Sequence, residues 1–181
     1  MRAERQRETE QRILEAAIEL QASKGPARAT LSEIASRAGV QRHTLYRHFP
    51  DALSLGLAWS ELYAERNPPP DPAAWAMVRG QQRLARGLTE LYAFYERNEA
   101  MLSRVIADAE ADDPTRRLFE LRLGEHVAQM RVSLADALPR RKAARAALDL
   151  ALDFRTWRRL RSSGLSQRAA VDTMVRALLA Q

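Results

Sequence analysis

No cysteine occurs in the sequence, which excludes disulfide staples, thiolate metal sites and a cysteine nucleophile and is compatible with a reducing compartment. Long apolar runs are also missing. The longest stretch without a charged residue, Ala52 to Ser60, has nine residues, against the roughly 20 needed to cross a bilayer. No membrane partner is expected. The opening MRAERQRETEQR is charged and passes straight into an amphipathic pattern, without the apolar core of a secretory leader, so the expected location is cytoplasmic. β-Branched residues are sparse and period-two alternation is not sustained, which argues against sheets. There is no H-E-x-x-H motif, no Glu-x-x-His pair and no glycine-rich phosphate loop. Neither a cofactor, a metal nor a catalytic residue is therefore expected. His126 beside Glu125 lacks a partner histidine and reads as neither a metal ligand nor a general base.

What the chain does contain is helix-forming and basic. Its 181 residues are 46% apolar and 29% charged with only 6% aromatic, a mixture able to bury a core beneath a charged surface. Ala, Leu, Arg and Glu dominate, all good helix formers, and the expected fold is all-α with about nine helices. Twenty-nine basic against 23 acidic residues give a net charge of +6, which favours polyanionic partners. The excess is local: Lys24, Arg28, Arg37, Arg42 and Arg47 face a single acid, Glu33, between residues 24 and 49.

Periodicity predicts a first helix from Glu8 to Lys24, stopped by Gly25-Pro26. Thr30 and Glu33 form a capping-box pair for a short second helix, which Gly39 ends. A two-turn helix follows from Arg42 to Phe49, then a fourth from Ala52 to Arg66. Four prolines between Pro68 and Pro72 cannot continue a helix. The expected boundary lies there, between a module at 9–68 and a larger domain at 72–181. In the latter, helices are expected over Ala73 to Arg97, Ala100 to Ala111, Thr115 to Leu138, Arg141 to Ser162, and from a Ser166 cap to Ala180.

Thr30 to Phe49 reads as a helix-turn-helix. A steep crossing of two short helices needs a small residue at the contact, supplied by Ala35, while Val40 plugs the angle. Ile34, Leu45 and Phe49 close a small core against Ile13, Ala17 and Leu20, leaving one face free to enter a major groove. That face contains Gln41, Arg42, His43, Thr44, Tyr46, Arg47 and His48. Arg can pair with guanine and Gln with adenine, and the hydroxyls suit phosphate oxygens. Which of them reads a base stays open at this stage.

Ile13-Leu-Glu-Ala-Ala17, Gly25 with Thr30, Ile34-Ala35, Ala38-Gly39-Val40 and Thr44-Leu-Tyr-Arg-His-Phe49 with Leu55 stand in one register. In this the chain resembles the tetracycline-repressor (TetR) family of bacterial transcription regulators. The resemblance implies a phosphate role for Thr30, Thr44, Tyr46 and His48 and groove contacts for Gln41, Arg42, His43 and Arg47, with Ser32 a further candidate. It also implies a homodimer, a palindromic double-stranded DNA operator and a small-molecule effector bound in the C-terminal helices. Candidates to line that site are Trp59, Tyr63, Leu88, Tyr92, Tyr95, Met101, Val105, Phe119, Leu123, Val127, Met130 and Phe154. Leu148, Leu152, Leu178 and Leu179 are candidates for the dimer interface. The expectation is a repressor released by its effector. The alternatives are a helical protein-interaction adaptor and a helical-bundle enzyme.

Overall fold

The computed structural model describes residues 1–180. In chain order its helices are α1 (Arg2–Lys24), α2 (Leu31–Arg37), α3 (Arg42–His48), α4 (Ala52–Arg66), α5 (Gly80–Arg97), α6 (Glu99–Ala111), α7 (Asp113–Phe119), α8 (Glu125–Ala135), α9 (Lys142–Leu152), α10 (Phe154–Ser162) and α11 (Gln167–Leu179). No strand occurs among the described residues, and the fold is all-α. Two compact units are formed: Met1–Asn67 with Glu99–Leu123, and Pro68–Asn98 with the chain from Gly124 onward.

In the first unit, α1 begins at Arg2 instead of Glu8. Nothing in the charged opening breaks a helix, and the Thr9 hydroxyl donates back to the Arg5 carbonyl at 2.8 Å. At α2, the Thr30 hydroxyl accepts from the Glu33 N–H while the Glu33 carboxylate accepts from the Thr30 N–H, which satisfies two otherwise unpaired donors. Gly39 then turns the chain at φ 64°, a region costly for any residue with a Cβ. This lets the Val40 N–H close onto the Ala35 carbonyl at 3.0 Å. Ile13, Ala17, Ile34, Leu45 and Phe49 are buried together, and Leu55, Trp59 and Met101 complete the cluster.

The second unit is organised by α5, whose Leu84, Leu88, Leu91 and Tyr92 are buried. A Cβ on Gly87 would stand 2.6 Å from the end of the Leu134 side chain of α8, so the bare glycine leaves room for that side chain where it lies. Tyr95, Phe154 and Trp157 pack ring on ring, with centroids 5.4 to 5.8 Å apart.

One helix expected to be continuous is divided, and another contains a π turn. The segment from Arg141 to Ser162 breaks at Asp153, which is extended (φ −78°, ψ 129°) and caps α10 through the N–H groups of Arg155 and Thr156. The carbonyls of Ala151 and Leu152 accept instead from the hydroxyls of Tyr92 and Tyr95. The helix expected from Thr115 to Leu138 runs on through a π turn, Glu120–Gly124, as far as Ala135, with helical backbone at both ends of that turn. There Arg122 reaches α4, donating to the Ser60 hydroxyl at 3.0 Å and to the Leu57 carbonyl.

Candidate nucleic-acid interface

The helix-turn-helix presents α3 by its buried side. Leu45 is its one fully buried residue, held against the core, and Gln41, Arg42, His43, Tyr46 and Arg47 look outward. Gln41, Arg42, His43 and Arg47 are exposed, Tyr46 is 38% exposed and Thr44 is half-buried. The Arg42 guanidinium lies over the Tyr46 ring, 5.7 Å from its centroid, and donates to the hydroxyl at 3.4 Å. Such a cation–π contact is worth about 0.5 to 1 kcal/mol at an exposed site. It gives the long Arg42 side chain a direction. Thr44 Oγ1 and His43 Nε2 lie 3.4 Å apart, and Arg47 makes no ion pair among the described residues.

His48 points elsewhere. Its side chain is only 5% exposed, with Nδ1 4.0 Å from Glu10 of α1, so the expected phosphate contact has no exposed imidazole to make it. At about 100° per residue, positions from Gln41 to His48 run right round α3, and His48 falls on the side of α1. Thr30 and Ser32 are exposed, but the Thr30 hydroxyl is engaged with Glu33 at 2.8 Å.

The local basic excess is smaller than the composition implies. Lys24 is paired with Glu33 and Arg37 with Glu19, which leaves Arg28, Arg42 and Arg47 without acidic partners among the described residues. The Lys24 ammonium, followed by the Thr30 hydroxyl and N–H, holds the Glu33 carboxyl at about 2. Because that folded value lies below the ordinary one of 4.5, the stabilisation is complete above about pH 4.5 and is lost as pH falls from there through about 2. Glu33→Gln is expected to remove this part of the acid-side decline in thermal melts. Parallel pH profiles for variant and wild type would contradict the assignment.

Helix α6 contributes contacts that no local signal announces. Asp108 accepts from the Ala27 N–H at 2.9 Å, and Arg104 donates to the Ser23 carbonyl at 2.8 Å. Both partners lie 81 residues earlier, so α6 clasps the segment that joins α1 to the helix-turn-helix.

Residues 13–52 match the family model of the bacterial regulatory proteins of the tetR family. The matched segment runs from the middle of α1 through α2 and α3 to the first residue of α4. Three solved structures are similar to this chain over nearly its full length. FadR from Bacillus subtilis, a transcriptional regulator in complex with stearoyl-CoA, has a TM-score of 0.62 at 15% identity, covering 94% of this chain and 97% of its own. SCO7518 from Streptomyces coelicolor A3(2), described as a transcriptional regulator, has a TM-score of 0.60 at 19% identity, covering 94% and 98%. A Clostridium perfringens protein described as a fatty acid metabolism regulator has a TM-score of 0.60 at 20% identity, covering 93% and 97%. At these identities the likeness is one of fold. No curated protein matches the sequence.

Outside the tetR-family segment, the twelve residues expected to line an effector site divide evenly between the units. In the first, Trp59 and Met101 are core residues, Tyr63 and Val105 pack against them, and Phe119 and Leu123 are half-buried. In the second, Leu88, Tyr92, Tyr95, Met130 and Phe154 are buried and Val127 is half-buried. An apolar groove does open beside α8, between Pro72, Ala76, Ala128 and Val132, and contains none of the twelve. The interface candidates need correction. Leu148 and Leu178 are 0% exposed and Leu152 is buried, so they fill their own subunit's core and offer nothing to a second copy. Leu179 remains exposed, as does Leu150 at 60%. His126 donates from Nε2 to the Pro70 carbonyl at 2.7 Å, securing the proline segment.

Proposed function

We propose that this protein is a transcriptional repressor that binds a palindromic operator as a homodimer and is released by a small-molecule effector. The observation that carries the reading is the outward face of α3, where Gln41, Arg42, His43 and Arg47 are exposed while Leu45 anchors the opposite side. Two such helices about 35 Å apart would enter successive major grooves of one operator. Residues 9–68 are the reading domain in this scheme, and 72–181 hold the effector and the dimer contacts. The dimer surface involves the outer sides of α9 and α11, where Leu150 and Leu179 are exposed. A cytoplasmic location follows from a DNA target.

FadR from Bacillus subtilis was solved with stearoyl-CoA, so long-chain acyl-CoA is the effector class to test first. A footprint on DNA flanking the protein's own gene, repeated with stearoyl-CoA, is the direct experiment. To weaken operator binding ~100-fold, the effector must favour the non-binding conformer by about 2.7 kcal/mol. Protection of a discrete palindrome that fades with effector supports the scheme. Uniform protection of all sequences would refute it.

Arg47→Ala is expected to weaken specific binding by about 1 to 3 kcal/mol and to relax the preference at one base pair. Fluorescence anisotropy on a set of single-substitution operators would show this. An equal loss on every duplex would reassign Arg47 to the phosphate backbone.

A further inference from the structure

The cations of the reading module fall into two groups. Lys24, Arg37 and Arg66 are neutralised inside the unit by Glu33, Glu19 and Glu15. Arg5 and Arg12 on α1 are exposed and have no acidic partner among the described residues, as is true of Arg42 and Arg47 on α3. A paired cation must break its internal contact before it can bind a phosphate. An unpaired one need not.

Arg5 and Arg12 border a shallow groove on the outer side of α1 together with Glu8, Thr9 and Gln11. Two further contacts place this stretch beside the reading helix. Nη1 of Arg12 lies 3.9 Å from where a Cβ on Gly39 would stand, so its guanidinium is at the turn that starts α3. Glu10 approaches His48 at the other end of α3, at 4.0 Å. Glu10 and Arg12, in the third turn of α1, thus lie beside the two ends of the element proposed to occupy the groove, with Arg5 two turns further out on the face of Arg12. Seven residues separate the two arginines, a rise of about 10.5 Å along the helix.

We infer that the outer face of α1, through Arg5 and Arg12, is a second DNA clamp that grips the phosphate backbone flanking the site read by α3. This rests on the operator-binding reading and adds to it a surface that carries affinity without sequence information. Glu8, the acid in the same groove, opposes the phosphate and limits the clamp's strength. Glu10 does not oppose it, because it is directed to His48.

Anisotropy titrations of the full-length protein, on an operator defined by footprinting and on an unrelated duplex between 50 and 200 mM salt, test this. Removing the charge that neutralises one phosphate lowers the slope of log K against log salt by about 0.9. Arg5→Gln and Arg12→Gln, each removing two such contacts from the homodimer, are each expected to flatten the slope by about 1.8, equally on both duplexes, and Glu8→Gln to tighten both. Arg7→Gln removes the same charge from the opposite side of α1 and is expected to leave the slope unchanged. Circular dichroism checks that the surface variants remain folded. Wild-type slopes for both Arg5→Gln and Arg12→Gln, or an Arg7→Gln slope as flat as theirs, would overturn the clamp. A wild-type protein that gives no footprint would overturn the operator reading instead.

Discussion

Leu45→Ala is expected to abolish specific operator binding and to destabilise the reading module by about 2 to 5 kcal/mol. Leu45 is fully buried and is the only buried residue of α3. A helix of seven residues is too short to persist without tertiary support. Its position therefore depends on Leu45, with Phe49 following it, seated among Ile13, Ala17 and Ile34. Truncation to Ala removes the apolar contacts and leaves a cavity that the short flanking turns can only partly close. Urea denaturation gives the stability loss, and gel shift on the footprinted operator gives the binding loss. Near wild-type binding with a loss under about 1 kcal/mol would mean that something other than this plug holds α3.

The second large effect is expected in the other unit. Tyr92→Phe combined with Tyr95→Phe should destabilise it by about 2 to 6 kcal/mol, from about 1 to 3 for each buried carbonyl left unpaired. The two hydroxyls donate to the Ala151 and Leu152 carbonyls, where the chain leaves helical geometry at Asp153. The rings lie 6.2 Å apart, so the single losses need not add. Burial, followed by the charge of Asp153, pushes both phenols above their ordinary value of 10. The folded state thus keeps protons that the unfolded chain releases. Stability should fall as pH rises beyond about 10, and the double variant should lack that part of the fall. Denaturant titrations at pH 7 and across the alkaline range measure both effects. A double variant as stable as wild type would show that water satisfies these carbonyls.

The reading module was legible because its signals are local. Thr30 and Glu33 stand three residues apart and cap one turn, Gly39 supplies a positive φ, and the inward positions Ile13, Ala17, Ile34 and Leu45 follow helical periodicity. The exposed part of α3 was legible for the same reason, but His48 was not. Its direction depends on Glu10 and the course of α1 beside α3. Composition likewise overstated the basic patch, since Glu19 neutralises Arg37 from 18 positions away.

In the second unit local pattern misled more often. Asp153 offers a local cap for α10, but the hydroxyls that donate to the freed Leu152 and Ala151 carbonyls come from 57 and 59 residues earlier. A first-unit case is the π turn that starts at Glu120, which accompanies Arg122 bonding to Leu57 and Ser60. Leu148 and Leu178 had the apolar spacing of an interface, yet both are buried in their own chain.

By itself, then, the sequence determined an all-helical chain, the helix-turn-helix and the residues that α3 could offer to DNA. Capping, glycine turns and helical period act within a few residues, and such effects can be read in order along a chain. Tertiary structure alone decided which cations stay unpaired, where α9 ends and which leucines reach the surface. Each of those outcomes depends on a partner tens of residues away, or on a neighbouring helix, and burial and charge pairing exist only once such partners have met.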